Sequence, residues 1–210
     1  MYPQPRRRTT HAYGTPKNLL VYDRWGAYGR PIVLLHGLLS DRTMWWPVAA
    51  DLGDSCTAIA VDLPGHGDSA PREHYHLDQL THDLAMMISR LDLRRAPILV
   101  AHAEATMIAE TFADHYATHA VLGVGTTAVT GDDLAAVPEP YRQFAVPRED
   151  RGLRAAYLES LTWPPARTRT STPAPARVHA GETPQPHLGA DRFPHLRDPC
   201  AFAEMLRSLR

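Results

Sequence analysis

The stretch "PIVLLHG", from Pro31 to Gly37, is a short continuous apolar run that ends in a His-Gly pair. Such a run is typical of a strand that is buried on both faces of a parallel sheet. Asp41 follows and can cap a helix through "RTMWWPVAADLG", which we expect to stop at Gly53. The stretch therefore predicts a buried strand, a tight loop and a covering helix.

The same alternation continues along the chain. Further buried strands are predicted in "CTAIAVDLPGHGDS" (Cys56–Ser69), "APILVAHA" (96–103) and "AVLGVGTTA" (Ala120–Ala128). Between them, "LDQLTHDLAMMISRLD" (Leu77–Asp92) carries an apolar stripe at helical spacing, and "ATMIAETFADHYATH" (105–119) predicts the next helix. Strands that alternate with helices in this way indicate a parallel sheet with helices on both faces.

Composition favours one soluble domain. The chain has 210 residues, 44% of them hydrophobic, and its formal net charge of −1 attracts neither nucleic acid nor an anionic membrane. Cys56 and Cys200 are too few for a disulfide framework, and no apolar run approaches the roughly 18 residues that span a bilayer. The basic N-terminus lacks the apolar run of a secretory signal. We therefore expect a cytoplasmic protein without nucleic-acid or membrane partners.

Neither a cofactor nor a metal is indicated by the sequence. No glycine-rich phosphate loop follows a strand, so a nucleotide is not expected. His74, His76 and His82 are close together in the sequence, but their spacing matches no metal-ligand pattern, and a solvated loop before a helix accounts for them.

Three stretches in order resemble the α/β-hydrolase family: "LLHGLLSDRTMW", "VDLPGHGDS" and "GADRFPHLRDPCAFAEMLRSLR". Their order and spacing make the combination specific, although residues 130–180 match poorly. The resemblance implies a three-layer sandwich around a parallel sheet, with a reduced cap. Few residues separate Gly181 from Gly189, so a trimmed C-terminal sheet edge is expected as well.

This resemblance divides the chain into four parts. Residues 1–17 are expected to form a disordered N-terminal arm, and residues 18–130 the hydrolase core. Residues 131–176 would form a reduced cap and a Pro-rich linker, and residues 177–210 would return to the core.

The family's catalytic triad is missing at the matching positions. The nucleophile normally stands in G-x-S-x-G on the turn after the strand "APILV", where this chain reads Ala-His-Ala-Glu-Ala, with Ala103 in the centre. A methyl group cannot attack a carbonyl. The position of the catalytic His holds Arg192, whose guanidinium stays protonated and cannot serve as a base. The acid expected after "HAGE" is absent too, because Thr183 and Pro184 follow. A conventional serine hydrolase is therefore not expected.

Other residues could replace the lost side chains only if the fold brings them to the pocket. His187 and His195 lie on either side of Arg192 in the sequence. Asp132 and Asp133 follow the strand "VGTTA", where some family members carry an alternative acid. The sequence leaves open whether any of the four reaches the pocket.

The resemblance also implies an oxyanion hole that does not depend on side chains. Its donors would be the backbone N–H groups of Leu38, after His36-Gly37, and of Glu104, after Ala103. Glu104 could act as a general base at a helix N-terminus, or it could simply cap that helix. His36 and His102 could join the site, or they could make structural hydrogen bonds.

Three functions remain open from the sequence. The first is an enzyme that acts on a small carbonyl-containing molecule without a serine nucleophile, by a non-hydrolytic lyase, cyclase or isomerase reaction. The second is a catalytically inactive relative that binds a small ligand or a protein partner. The third is a hydrolase with a relocated nucleophile, for which Ser40 and Ser69 are candidates, although Ser69 better fits a turn hydrogen bond. A trimmed sheet edge could also be covered by a second copy in a homodimer.

Overall fold

The computed structural model describes residues 8–53, 55–125, 131–146, 150–161, 176–179 and 192–209. Over these residues the chain forms one sheet of seven strands and eight α-helices. None of these helices is long and apolar enough to cross a membrane.

The strands form a mostly parallel sheet. In chain order they are β1 (Thr9–Tyr13), β2 (Leu20–Trp25), β3 (Pro31–Leu35), β4 (Thr57–Val61), β5 (Ile98–His102), β6 (Ala120–Val124) and β7 (Ala176–His179). Their order across the sheet is β1-β2-β4-β3-β5-β6-β7. The pairs β1–β2 and β2–β4 are antiparallel, whereas the strands from β4 to β7 are parallel.

Helices cover both faces of this sheet. They are α1 (Trp46–Leu52), α2 (Leu77–Ser89), α3 (Thr106–His115), α4 (Gly131–Ala136), α5 (Glu139–Ala145), α6 (Arg151–Ser160), α7 (Pro194–Arg197) and α8 (Pro199–Ser208). Buried side chains of α2, α3 and α6 form one core, and those of α1, α7 and α8 form the other. The predicted three-layer α/β sandwich is confirmed.

Alternation along β3 explains why its sequence is apolar throughout. Val33 and Leu35 point into the core beneath α2 and α3, whereas Ile32 and Leu34 point into the core beneath α1 and α8. A strand with period 2 and cores on both sides needs an apolar residue at every position.

The N-terminal segment differs from the prediction of a disordered arm. Thr9–Tyr13 form β1, which pairs with β2 along its full length. The Thr10 hydroxyl donates a hydrogen bond to the Asp23 carboxylate at 2.6 Å, and the His11 ring stacks on Tyr22 at 5.2 Å. The prediction failed because this strand gains its order from β2, not from an apolar pattern of its own: four of its five residues are exposed.

The helix predicted after Asp41 is split in two. Asp41 caps it as expected, accepting a hydrogen bond from the Thr43 N–H at 2.9 Å. Residues Arg42–Trp45 nevertheless form a 3₁₀ turn, and α1 starts at Trp46 with a proline in its first turn. Pro47 has no N–H to donate, so it suits a helix start and not a helix interior.

A buried ionic cluster joins this 3₁₀ turn to the sheet. The Arg42 guanidinium contacts the carboxylates of Asp62, Asp23 (3.1 Å) and Asp68 (2.9 Å). Burial alone would lower the pKa of Arg42, but the carboxylates of Asp62 and Asp23 raise it above its ordinary value. The Arg42 N–H also donates to Asp62 at 2.7 Å. The cluster thus fixes β2, the end of β4 and the start of α1 relative to each other.

Two predicted regions fall mainly outside the described residues. The Pro-rich linker within 131–176 is one of them, apart from the helices α4, α5 and α6 that precede it. The trimmed C-terminal sheet edge is the other: β7 pairs with β6, and the residues between β7 and Arg192 are outside the description.

Candidate functional site

The carboxyl ends of three neighbouring strands bring the predicted site residues together. β3 lies between β4 and β5, and β5 lies between β3 and β6. The turn after β3 (residues 36–40), the turn after β5 (103–105) and the loop after β4 (62–69) therefore lie along one edge of the sheet. Ligands bind along this edge in open α/β sheets.

The turn after β5 keeps a sharp bend although no nucleophile stands on it. Ala103 has a left-handed backbone, with φ of +51°, between the extended His102 and the helical Thr106. This conformation costs an alanine about 1–2 kcal/mol relative to ordinary backbone. Since β5 and α3 are both fixed by their cores, the bend between them persists despite that cost. The apex of the turn presents only the largely buried methyl group of Ala103.

The turn after β3 is held by two buried imidazoles. His36 Nε2 accepts a hydrogen bond from the Leu63 N–H at 2.9 Å, so its Nδ1–H donates to the Gly37 carbonyl at 2.8 Å. His66 Nε2 accepts from the Leu39 N–H at 3.1 Å. Burial lowers the pKa of His66 to about 3, which keeps the ring neutral and able to accept. Leu39 is itself left-handed, with φ of +65°.

His102 makes a structural hydrogen bond from a fully buried position. Its Nε2 lies 3.0 Å from the Arg192 carbonyl oxygen, which can only accept, so Nε2 carries the proton. Burial, and then the positive charge of Arg192, lower the pKa of His102 to about 3. The ring is therefore neutral, and its protonated nitrogen is engaged. This arrangement favours the structural interpretation of His102 over a catalytic one.

Glycines allow this contact between distant parts of the chain. Gly125, at the end of β6, has φ of +62°, and a Cβ there would lie 2.3 Å from the Arg192 oxygen and 2.8 Å from His102 Nε2. A Cβ on Gly37 would lie 2.5 Å from His102 Nδ1. Both positions need glycine because another residue's backbone or ring occupies the space of a side chain.

His195 lies beside His102 but within the apolar core. The two rings are 5.3 Å apart, and His195 packs against Trp45 at 4.4 Å and against Phe202 at 6.0 Å. Neither of its ring nitrogens has a hydrogen-bond partner among the described residues. Burial holds the pKa of His195 well below its usual value. His195 is therefore a neutral residue of the apolar core.

The remaining predicted site residues are placed as follows. Leu38 is buried in the turn after β3, and Glu104 is half-buried directly after Ala103. Arg192 is buried, and its carbonyl meets His102. For Asp132 and Asp133 the structure describes only the backbone, within α4, and His187 lies outside the described residues.

Ser69 and the exposed histidines have structural or solvent-facing environments. The Ser69 hydroxyl accepts from the Val21 N–H and donates to the Asp62 carbonyl, each at 2.8 Å, which matches its interpretation as a turn residue. The His74 and His76 rings lie 5.5 Å apart at a tilted angle, and His82 contacts the Tyr116 hydroxyl. Within the described ranges, no three histidine, cysteine or acidic residues are grouped so that they could hold a metal.

Sequence reasoning missed one residue above this edge, Tyr157. It is fully buried, and its hydroxyl donates to the Pro64 carbonyl at 2.7 Å. Leu153, Tyr157 and Leu161 recur at four-residue spacing in "LRAAYLESL", so the apolar face of α6 was readable as a signal. Its partner was not, because Pro64 is 93 residues away in sequence.

Comparison with known proteins finds a match to the alpha/beta hydrolase family over residues 32–209. An uncharacterized protein of Mycobacterium tuberculosis is 34% identical over 107 residues, which are 50% of this chain and 29% of that protein. An esterase of the same species is 46% identical over 50 residues, which are 24% of this chain and 16% of the esterase. The chain thus spans less than a third of the length of either relative.

Solved structures with a similar fold include two kinds of hydrolase. The Cif epoxide hydrolase of Acinetobacter nosocomialis has a TM-score of 0.54 and 21% identity, over 66% of this chain and 43% of that one. An N-acyl homoserine lactonase complexed with N-butanoyl homoserine has a TM-score of 0.52 and 19% identity, over 61% of this chain and 53% of that one. At this level of identity the likeness concerns the fold alone.

The first prediction concerns the left-handed backbone of Ala103. Replacing Ala103 with glycine should leave the free energy of unfolding unchanged or raise it by up to about 1 kcal/mol, because glycine adopts positive φ without strain. The matched control is Ala109→Gly in the middle of α3, which should lose about 1 kcal/mol. Urea denaturation of both variants measures the difference, and equal losses would contradict the left-handed turn.

The second prediction concerns the buried imidazoles and the pH dependence of the free energy of unfolding. The pKa values of His66, His102 and His195 are all lowered in the folded state, so the unfolded chain binds more protons below about pH 6.5. The free energy of unfolding should therefore fall as the pH falls from about 6.5 towards 3, by up to about 1.4 kcal/mol per pH unit for each ring.

Urea denaturation at pH 7.5, 6 and 5 measures this slope. His66→Gln, which keeps an acceptor in the side chain, should reduce the slope, whereas His82→Gln at an exposed position should leave it unchanged. A stability that does not vary between pH 7.5 and 5 would show that the three rings are not buried in neutral form.

Proposed function

Because this chain belongs to the alpha/beta hydrolase family, we propose that it binds a small carbonyl-containing molecule at the turn around Ala103, without forming a covalent intermediate. The left-handed backbone of Ala103 carries this proposal. Backbone strain at a residue without a reactive side chain cannot serve covalent catalysis. Strained backbone nevertheless clusters at ligand sites, where it aims backbone donors.

Two backbone N–H groups would hold the carbonyl oxygen. They belong to Leu38 and Glu104, the residues after the His-Gly pair and after the nucleophile position. The turn that carries Leu38 is fixed by His36 and His66, and the turn that carries Glu104 by the bend at Ala103. Such donors survive side-chain replacement, and they act strongly where water is excluded.

The side chains around these donors favour binding over hydrolysis. Ala103 offers no nucleophile, and Arg192 cannot accept a proton. His102 is buried with its Nε2–H donated to a carbonyl, and His195 lies in the apolar core. Hydrolysis by the family's triad would need a base beside the nucleophile. Neither His102 nor His195 is placed to serve as that base.

The third prediction tests binding with a matched pair of probes. Ethyl butyrate should shift the backbone amide resonances of Leu38 and Glu104, because its carbonyl oxygen accepts from both, and the ester should remain intact. Ethyl butyl ether has nearly the same shape without the carbonyl and should leave both resonances in place. Two-dimensional NMR titration measures the shifts, and mass spectrometry follows the ester. Loss of the ester, or equal shifts with both probes, would overturn the proposal.

A second candidate function gives the same site a non-hydrolytic reaction. Within residues 101–106, Glu104 is the titratable side chain that stays partly exposed, whereas His102 is buried. The Glu104 carboxylate would take a proton from the carbon next to the carbonyl. The electron pair of the C–H bond would move to the oxygen, where the two N–H groups stabilise the enolate, and a solvent-derived proton would return to carbon.

The fourth prediction separates this reaction from simple binding. Cyclohexanone in D₂O should exchange its α-protons for deuterium faster with the protein present, and Glu104→Gln should slow the catalysed exchange by about a hundredfold or more. Glu110→Gln, on the helix α3 that follows the turn, is the matched control and should keep the full rate. Proton NMR measures the exchange. If the wild-type protein gives no acceleration, the site only binds.

A further inference from the structure

One backbone carbonyl joins helix α6 to the turn after β3. The Pro64 oxygen lies 2.7 Å from the Tyr157 hydroxyl of α6 and 3.1 Å from His66 Nδ1. A carbonyl oxygen has two lone pairs, so it can accept from both groups at once. The same peptide group therefore holds the helix and the imidazole.

The direction of these hydrogen bonds fixes the tautomer of His66. The Leu39 N–H can only donate, so His66 Nε2 must be the acceptor. In a neutral ring the proton then lies on Nδ1, which donates to the Pro64 carbonyl. The His66 ring thus connects the Pro64 carbonyl to the Leu39 N–H, with one hydrogen bond at each ring nitrogen.

Close packing leaves these groups little freedom. The Tyr157 ring meets His66 edge-on at 5.1 Å and packs on Tyr75 at 4.3 Å. Gly65 has φ of +77°, and a Cβ there would lie 2.9 Å from Leu153 Cδ1 of α6. The helix therefore approaches the loop after β4 as closely as a glycine allows.

Leu39 needs such support because its own backbone is unfavourable. Its φ of +65° is rare for a residue with a bulky side chain. Strain of this kind persists only where the surrounding structure imposes it. Its N–H is held by His66, and the adjacent Ser40 N–H donates to the Gly37 carbonyl at 3.2 Å. Leu38 lies between two groups that these hydrogen bonds hold, the Gly37 carbonyl and the Leu39 N–H.

We propose that Tyr157 and His66 are positioning residues, which couple the docking of α6 to the conformation of residues 37–40 and so to the carbonyl-binding donor at Leu38. The coupling stands on the contacts above, and its consequence for ligand binding rests on the proposed function. When α6 is docked, Pro64 and His66 are fixed and Leu39 stays left-handed. When α6 moves away, the shared carbonyl loses a donor and the turn after β3 loosens.

Amide hydrogen exchange tests the coupling without any ligand. Tyr157→Phe keeps the ring and removes the hydroxyl, so the Leu39 amide should exchange about threefold to tenfold faster, the range for one lost hydrogen bond. Tyr75→Phe removes a neighbouring hydroxyl that accepts from the Arg72 N–H, and it should leave Leu39 unchanged. Leu99 in β5 serves as the internal reference for global unfolding.

The exchange result has two outcomes that would overturn the coupling. In the first, Leu39 exchanges at the wild-type rate in Tyr157→Phe. In the second, Leu39 and Leu99 accelerate by the same factor, which would mean that the variant only destabilises the whole fold. Selective acceleration at Leu39 supports the coupling.

Ethyl butyrate titration then tests the link to the site. His66→Leu should weaken binding by about threefold to tenfold, and His66→Gln, whose side-chain oxygen can accept from the Leu39 N–H, should restore part of the loss. Equal affinity in wild type, His66→Leu and Tyr157→Phe would overturn the link. If the wild-type protein does not bind ethyl butyrate, the proposed function fails, and the exchange result alone decides the coupling.

Discussion

Three buried, uncharged imidazoles organise the edge of the sheet where the site lies. His36 and His66 tie the turn after β3 to the loop after β4, and His102 ties the end of β5 to the C-terminal segment at Arg192. Each ring works because one nitrogen donates to a carbonyl, and in His36 and His66 the other accepts from a backbone N–H. A charged imidazolium could not accept a hydrogen bond, so burial, which lowers the pKa of His66 and keeps its ring neutral, is part of how His66 holds Leu39. The geometry of the turns after β3 and β5 depends on these contacts.

The turn after β5 bends sharply although an alanine stands at its apex. Ala103 keeps a left-handed backbone because β5 and α3 enter the turn from fixed directions, each anchored in a packed core. Side-chain chemistry and backbone geometry are thus separable at this site.

Residues far from the turn set how rigid it is. Tyr157 on α6 reaches the Pro64 carbonyl that His66 also uses, so one peptide group connects α6, through His66, to the turn after β3. On the other side of the sheet, the Arg42 cluster fixes the 3₁₀ turn before α1 against β2 and the end of β4. Both arrangements hold loops that an isolated sheet would leave free, and both use buried polar groups that are satisfied by partners from other elements.

The sequence by itself determined the layered fold. Continuous apolar runs such as "PIVLL" and "ILVA" predict buried parallel strands, since both faces need apolar residues. The alanine at position 103 and the arginine at position 192 can likewise be read directly from the sequence. Only the tertiary structure decided that Thr9–Tyr13 join the sheet, that Ala103 and Leu39 are left-handed, and that His102 meets Arg192 across 90 residues. Periodicity records which face of an element is buried. It does not record which carbonyl a buried ring will meet, because that depends on how separate elements pack against each other.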